Sequence, residues 1–196
     1  MGNQKQPNVQ ENRIVTIPNM LSLFRICLIP FIICLYVVKQ NYFSAGCVLI
    51  LSGLTDIIDG FIARKFHMIS NLGKILDPIA DKLTQAVMLI CLMVRFPYML
   101  FPFALMVCKE VSMTITGILV IRQSGIVPGA VWHGKIATVL LYAMMLLHIF
   151  WSEIPASLSG VLIVVTSIMI GLSFALYLIR NIQLLRKNGG EHKRTL

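Results

Sequence analysis

The sequence predicts an all-α membrane protein: six transmembrane helices with both termini in the cytosol. Three observations carry that reading. The first is composition, because 196 residues at 57% hydrophobic and 13% charged are too apolar for an ordinary soluble domain. The second is the spacing of apolar runs, which fall at 19–38, 42–62, 73–94, 98–121, 132–151 and 156–178, each near the length that crosses a hydrocarbon core. The third is where the cations sit. Of 17 Lys and Arg, this layout puts only Lys39 and Arg95 on or near external turns, which is the positive-inside bias. The net charge of +9 therefore reports orientation in a membrane; membrane lipid is an expected partner and nucleic acid is not. One domain, 1–196, is expected, with a polar to interfacial N-terminus over 1–18 and a basic tail over 180–196 that lies against anionic headgroups.

Taken in order, Pro18-Asn19-x-x-Ser22-x-x-Arg25 opens the first helix with Asn19, Ser22 and Arg25 near one face. By itself this is a helix start with a snorkelling arginine. No small-residue cleavage site follows a short apolar core, so the first span is expected to be retained; Gln6 stands where a myristoylation signal wants Ser or Thr. The second helix enters from outside and carries Asp56 and Asp59 to its cytosolic end. Residues 65–72 turn the chain. Pro78 falls in the first turns of the third helix, where a missing donor is tolerated. Arg95-Phe96-Pro97 makes an external turn, and Lys109-Glu110 stands inside the apolar fourth helix, so both should face protein or a wet cavity. Arg122 ends that helix, and 123–130 is turn chemistry. The fifth helix opens with Trp132-His133-Gly134-Lys135-Ile-Ala-Thr138, whose Gly-Lys lacks the preceding glycine and the strand of a P-loop, so nucleoside triphosphate binding is excluded. The sixth helix reads as bland apart from small residues suited to packing. Cys27, Cys34, Cys47, Cys91 and Cys108 lie in apolar spans without metal-type spacing, as packing residues and not a disulfide framework.

The chemistry concentrates at 56–81. Four of the eight acidic residues, Asp56, Asp59, Asp77 and Asp81, fall there on otherwise apolar segments. A carboxylate costs several kcal/mol to desolvate without a partner, so four together call for cations. Spacings of three and four put each pair on one helix face. If the two helices pack antiparallel, all four converge on a point suited to Mg²⁺ or Mn²⁺, and two such ions can share the cluster. Gly60 and Gly73 remove side chains where backbone must approach backbone or ligand. Arg64 offers a planar fork of donors suited to phosphate.

The string Asp56-x2-Asp59-Gly60-x2-Ala63-Arg64-x8-Gly73-x3-Asp77-x3-Asp81 resembles, at all eight fixed positions, the signature of the CDP-alcohol phosphotransferases. That resemblance implies a donor, CDP-diacylglycerol, and an alcohol acceptor whose hydroxyl attacks the β-phosphate and expels CMP. It also implies an active site on the cytosolic side of a multi-pass protein of the bacterial plasma membrane, two divalent ions and a homodimer. Matched residue by residue, Asp56, Asp59 and Asp77 are metal ligands. Asp81 is the general base and also touches metal. Gly60, Arg64, Ser70, Asn19 and Ser22 serve the donor, and Lys135, Arg122 and Lys109 are candidates for the acceptor, Lys109 with a structural pairing as an equal alternative.

Gly134-Lys135-x-x-Thr138 is similar to a segment of phosphatidylglycerophosphate synthases, which favours glycerol 3-phosphate as acceptor. Where those enzymes carry Arg-Glu followed by a further arginine, this chain has Lys109-Glu110 and then Thr116-Gly117-Ile118. Phosphatidylglycerol, giving cardiolipin, therefore stays open, as do inositol phosphate and serine. A reading from another class, a divalent-cation transporter, leaves the paired glycine and arginine unexplained and puts its carboxylates at one end of the bilayer.

Overall fold

The computed structural model describes residues 16–65, 73–124, 132–151 and 153–192, and every described element is helical. The chain divides into two compact units, one ending at Cys91 and the other starting at Leu92.

The first unit holds α1 (Ile17–Ile33), a π-helical extension (Cys34–Val38), α2 (Tyr42–Lys65) and most of α3 (Gly73–Met93). The helix α1 starts two residues earlier than expected because Thr16 caps it, its hydroxyl accepting the Asn19 N–H at 3.4 Å. Pro18 is tolerated in that first turn, where backbone donors have no helical partner. Pro30, further along, removes one backbone donor, and the helix widens to π geometry a turn later. The turn into α2 is tight: Gln40 takes a positive φ of 50°, and the Asn41 side chain accepts the Ser44 N–H at 3.1 Å. Ile32, Tyr36, Ala45 and Leu49 are buried along α1, its extension and α2, and Tyr36 meets Tyr42 edge to face at 5.0 Å. The helix α3 runs through Pro78, in its second turn, so one carbonyl there lacks its usual partner.

In the second unit a 3₁₀ turn (Pro97–Met99) leads into α4 (Leu100–Ser124), followed by α5 (Trp132–Phe150) and α6 (Ala156–His192). Along α6 the buried positions are Ser159, Ile163, Thr166, Ile170, Ser173, Tyr177 and Asn181, a stripe repeating every three or four residues. Four of the seven are polar, so the helix is not bland. Ser159 pairs with His148 of α5, Ser173 with His133 of α5 and Asn181 with Thr116 of α4, at 2.9, 3.1 and 2.8 Å. A Cβ at Gly134 would meet the Tyr177 hydroxyl at 2.8 Å, so this glycine is what lets α5 approach α6 there. The helix also continues past the expected end at 178. No glycine or proline interrupts 179–188, and the basic stretch stays helical.

Among the described residues, five helices are long and apolar enough to cross a membrane: Ile17–Val38, Tyr42–Ile62, Pro97–Arg122, Trp132–Phe150 and Ala156–Leu185. The third expected span forms as α3, but it carries Lys74, Asp77, Asp81 and Lys82, too many charges to qualify on apolarity. Large apolar side chains such as Phe31, Phe43, Ile115, Val139 and Ile168 are exposed on all five, as lipid-facing helices require.

Candidate functional site

The last three turns of α2 place Asp56 and Asp59 on one face, and the second turn of α3 brings Asp77 to them. One oxygen from each of the three lies within 4.8 Å of the others. Their settings differ. Asp59 is almost completely buried, whereas the side chains of Asp56 and Asp77 are 41% and 43% exposed. The cluster thus has a dry floor and an accessible mouth.

The floor is completed by a residue that the sequence reading left as a snorkelling arginine. Arg25 of α1 is 1% exposed. Its Nη1 donates to Asp56 Oδ1, and its Nη2 donates to Asp59 Oδ2 and Asp77 Oδ1. The signal was present in the chain: an arginine inside an apolar span, sharing a face with Asn19 and Ser22, needs an anionic partner within the protein. What the sequence lacked was the tertiary pairing with residues more than thirty positions away. Ser22, also buried, shares its one hydroxyl hydrogen between the Pro18 carbonyl at 3.0 Å and Asp77 Oδ1 at 3.3 Å. Asn19 is buried on the same face.

Asp81 lies one turn beyond Asp77 on α3 and outside the set of three. Its two oxygens accept from Gln85 Nε2 at 3.0 and 2.9 Å, and Lys82 Nζ stands 3.7 Å away. Gly60 follows Asp59, and a Cβ there would meet no described atom within 4 Å. No described backbone approaches closely enough to require this glycine. Arg64 lies in α2 with its side chain outside the described residues, and Ser70 lies outside them altogether. The proposed acceptor residues belong to the second unit. Lys135 and Arg122 are exposed at the start of α5 and the end of α4, while Lys109 is buried in α4 with its Nζ 3.1 Å from Glu110 Oε1.

The donor set fits hard divalent cations. Three carboxylates converge, and the second oxygen of Asp59, Oδ1, is buried without a hydrogen-bond partner. An unpaired buried carboxylate oxygen is costly unless a cation or donor comes to it.

A multi-pass helical membrane protein with an acidic centre of this kind is a class that includes enzymes of phospholipid chemistry, and sequence comparison identifies which. The profile of the CDP-alcohol phosphatidyltransferase family matches residues 15–179. The chain belongs to that family and is an enzyme of the phosphatidyltransferase type. It is 30% identical over 179 residues to a CDP-diacylglycerol–glycerol-3-phosphate 3-phosphatidyltransferase of Aquifex aeolicus, covering 88% of this chain and 99% of the relative. A cardiolipin synthase (CMP-forming) of Streptomyces coelicolor is 35% identical over 152 residues, covering 73% and 69% of the two chains. An Escherichia coli CDP-diacylglycerol–glycerol-3-phosphate 3-phosphatidyltransferase is 31% identical over 99 residues, 48% of this chain and 54% of the relative.

Proposed function

We propose that this enzyme transfers the phosphatidyl group of CDP-diacylglycerol to glycerol 3-phosphate, yielding phosphatidylglycerophosphate and CMP. The observation that carries the choice of acceptor is the Aquifex aeolicus relative, matched over nearly its whole length. Gly134-Lys135 at the start of α5 supports it, because an exposed lysine there can hold a phosphate monoester.

In this reading Asp56, Asp59 and Asp77 hold divalent ions, Mg²⁺ or Mn²⁺, with Asp81 touching one of them. When bound, the ions neutralise the donor's diphosphate and the charge that develops on departing CMP. The remaining work falls to side chains. Gly60, Arg64, Ser70, Asn19 and Ser22 position the donor, the glycine by leaving its backbone open. Lys135, Arg122 and Lys109 hold the acceptor. Asp81 takes the proton of the acceptor hydroxyl as that oxygen bonds to the β-phosphorus and the bond to CMP breaks, so CMP leaves with the electron pair. Gln85 orients the Asp81 carboxylate for that step. The protein works as a single membrane domain with six spans, α3 included, with both termini and the acidic centre on the cytosolic side, and as a homodimer.

A second acceptor, phosphatidylglycerol, is favoured by the Streptomyces coelicolor cardiolipin synthase and by Lys109 in place of the arginine that glycerophosphate-using enzymes carry. Purified protein given CDP-diacylglycerol labelled in its CMP moiety, with one acceptor at a time, separates the two. Glycerol 3-phosphate is expected to drive CMP release. Release with phosphatidylglycerol and none with glycerol 3-phosphate would reassign the enzyme to cardiolipin synthesis.

A further inference from the structure

The guanidinium of Arg25 takes one oxygen from each of the three carboxylates that could hold a cation. Asp56 Oδ1, Asp59 Oδ2 and Asp77 Oδ1 all accept from it. A divalent ion bound by these three atoms sits about 2.0–2.6 Å from each. The arginine nitrogens cannot hold their hydrogen-bonding positions in the same small space. We propose that Arg25 is a resident counter-cation: it keeps the three aspartates assembled before metal binds, and the entering ion displaces it from them.

Electrostatics requires some such device. Three carboxylates whose oxygens lie within 4.8 Å of one another repel strongly in a partly dry setting. One guanidinium offsets one charge and ties α1 to both α2 and α3. It leaves the cluster anionic, so a doubly charged ion still gains by replacing it. Arg25 is 1% exposed, and its Nε is buried without a hydrogen-bond partner among the described residues. A displaced guanidinium must therefore find another anion close by. If the enzyme uses a CDP-linked donor, as proposed above, the diphosphate is the anion that arrives, and a planar fork suits its oxygens. The arrangement couples the two events: ions release the arginine, and the donor receives it. Because the competent, arginine-free site is only a fraction of the metal-free ensemble, Arg25 weakens the apparent affinity for ions added alone.

The test is Mn²⁺ binding by the purified full chain in detergent, without substrate, read from the loss of the free-ion electron paramagnetic resonance signal. Wild type, Arg25→Gln and Arg25→Lys are titrated, and each is melted in EDTA and in Mn²⁺. Arg25→Gln is expected to bind Mn²⁺ about tenfold more tightly than wild type. It should also melt lower in EDTA and gain more from Mn²⁺. Arg25→Lys keeps the charge but cannot reach three carboxylates at once, and should fall between the two. Affinity in Arg25→Gln equal to or weaker than wild type overturns the inference, as does an unchanged melting point in EDTA. If Arg25→Gln does not fold, Arg25→Lys decides by the same comparison. These outcomes leave the assigned reaction intact. Wild-type protein that binds no Mn²⁺ would remove the metal site itself, and the inference with it.

Discussion

Asp56, Asp59 and Asp77 are the same side chain in two settings. All three accept from Arg25, but Asp59 is buried, whereas Asp56 and Asp77 are half-exposed and open on their outer side to an arriving ligand. Asp81, held by Gln85 at 3.0 and 2.9 Å, keeps both oxygens oriented, which suits a proton acceptor. Asp81→Asn preserves the shape and can still accept from Gln85, but it cannot take a proton at neutral pH. Transfer should fall by about 10²–10⁴-fold, with donor binding retained, as measured by CMP release alongside equilibrium binding of CDP-diacylglycerol. Full turnover by this variant would remove Asp81 from its role. The aspartates were legible in the sequence because their spacing and their scarcity in apolar surroundings both point to a cation site. Arg25 was not, because a single arginine near a helix start has an ordinary explanation, and only the folded chain brings it to residues of two other helices.

At the scale of the element, α6 shows what periodicity reveals and what composition hides. Its buried positions recur every three or four residues from Ser159 to Asn181. The span itself was evident from its apolar run. Its serines and threonines looked like packing residues because nothing local distinguishes a small polar residue that packs from one that bonds a neighbouring helix. His148 makes the difference concrete. It is fully buried in α5, its Nδ1 donates to the Met144 carbonyl at 2.8 Å, and its Nε2 meets the Ser159 hydroxyl at 2.9 Å. The Phe96 ring closes over it edge to face at 4.8 Å. Where hydrocarbon surrounds a bundle, such a bond links helices that apolar contact alone does not select. His148→Ala and Ser159→Ala should each lower stability. A double-mutant cycle from denaturant unfolding should give a coupling of about 0.6 kcal/mol or more. Strict additivity would show that the pair is not a working contact.

For the whole molecule, the open matter is how the chain threads the bilayer. Five helices qualify as spans by length and apolarity, and α3 is excluded by the charges that make it interesting. A spanning helix tolerates such residues where they face protein and partners, as Asp77 does with Arg25 and Ser22. If α3 crosses, the turn at Arg95 lies outside and the end of α4 at Arg122 lies inside. Single cysteines at these two positions, in a background without the five native ones, test this with a membrane-impermeant maleimide. Arg95→Cys should label in intact cells, and Arg122→Cys only after permeabilisation. Labelling of Arg122→Cys in intact cells, with Arg95→Cys labelled only after permeabilisation, would exclude the six-span arrangement.

If the converging aspartates hold divalent ions, as proposed, phosphatidyl transfer depends on those ions. The most direct measurement is CMP release from CDP-diacylglycerol with glycerol 3-phosphate, made in EDTA and again after adding Mg²⁺ or Mn²⁺, for wild type and Asp59→Ala. No release is expected in EDTA, with recovery by wild type on adding the ion and none by Asp59→Ala at any ion concentration. Turnover that ignores the chelator, or an Asp59→Ala enzyme as active as wild type, would contradict that dependence.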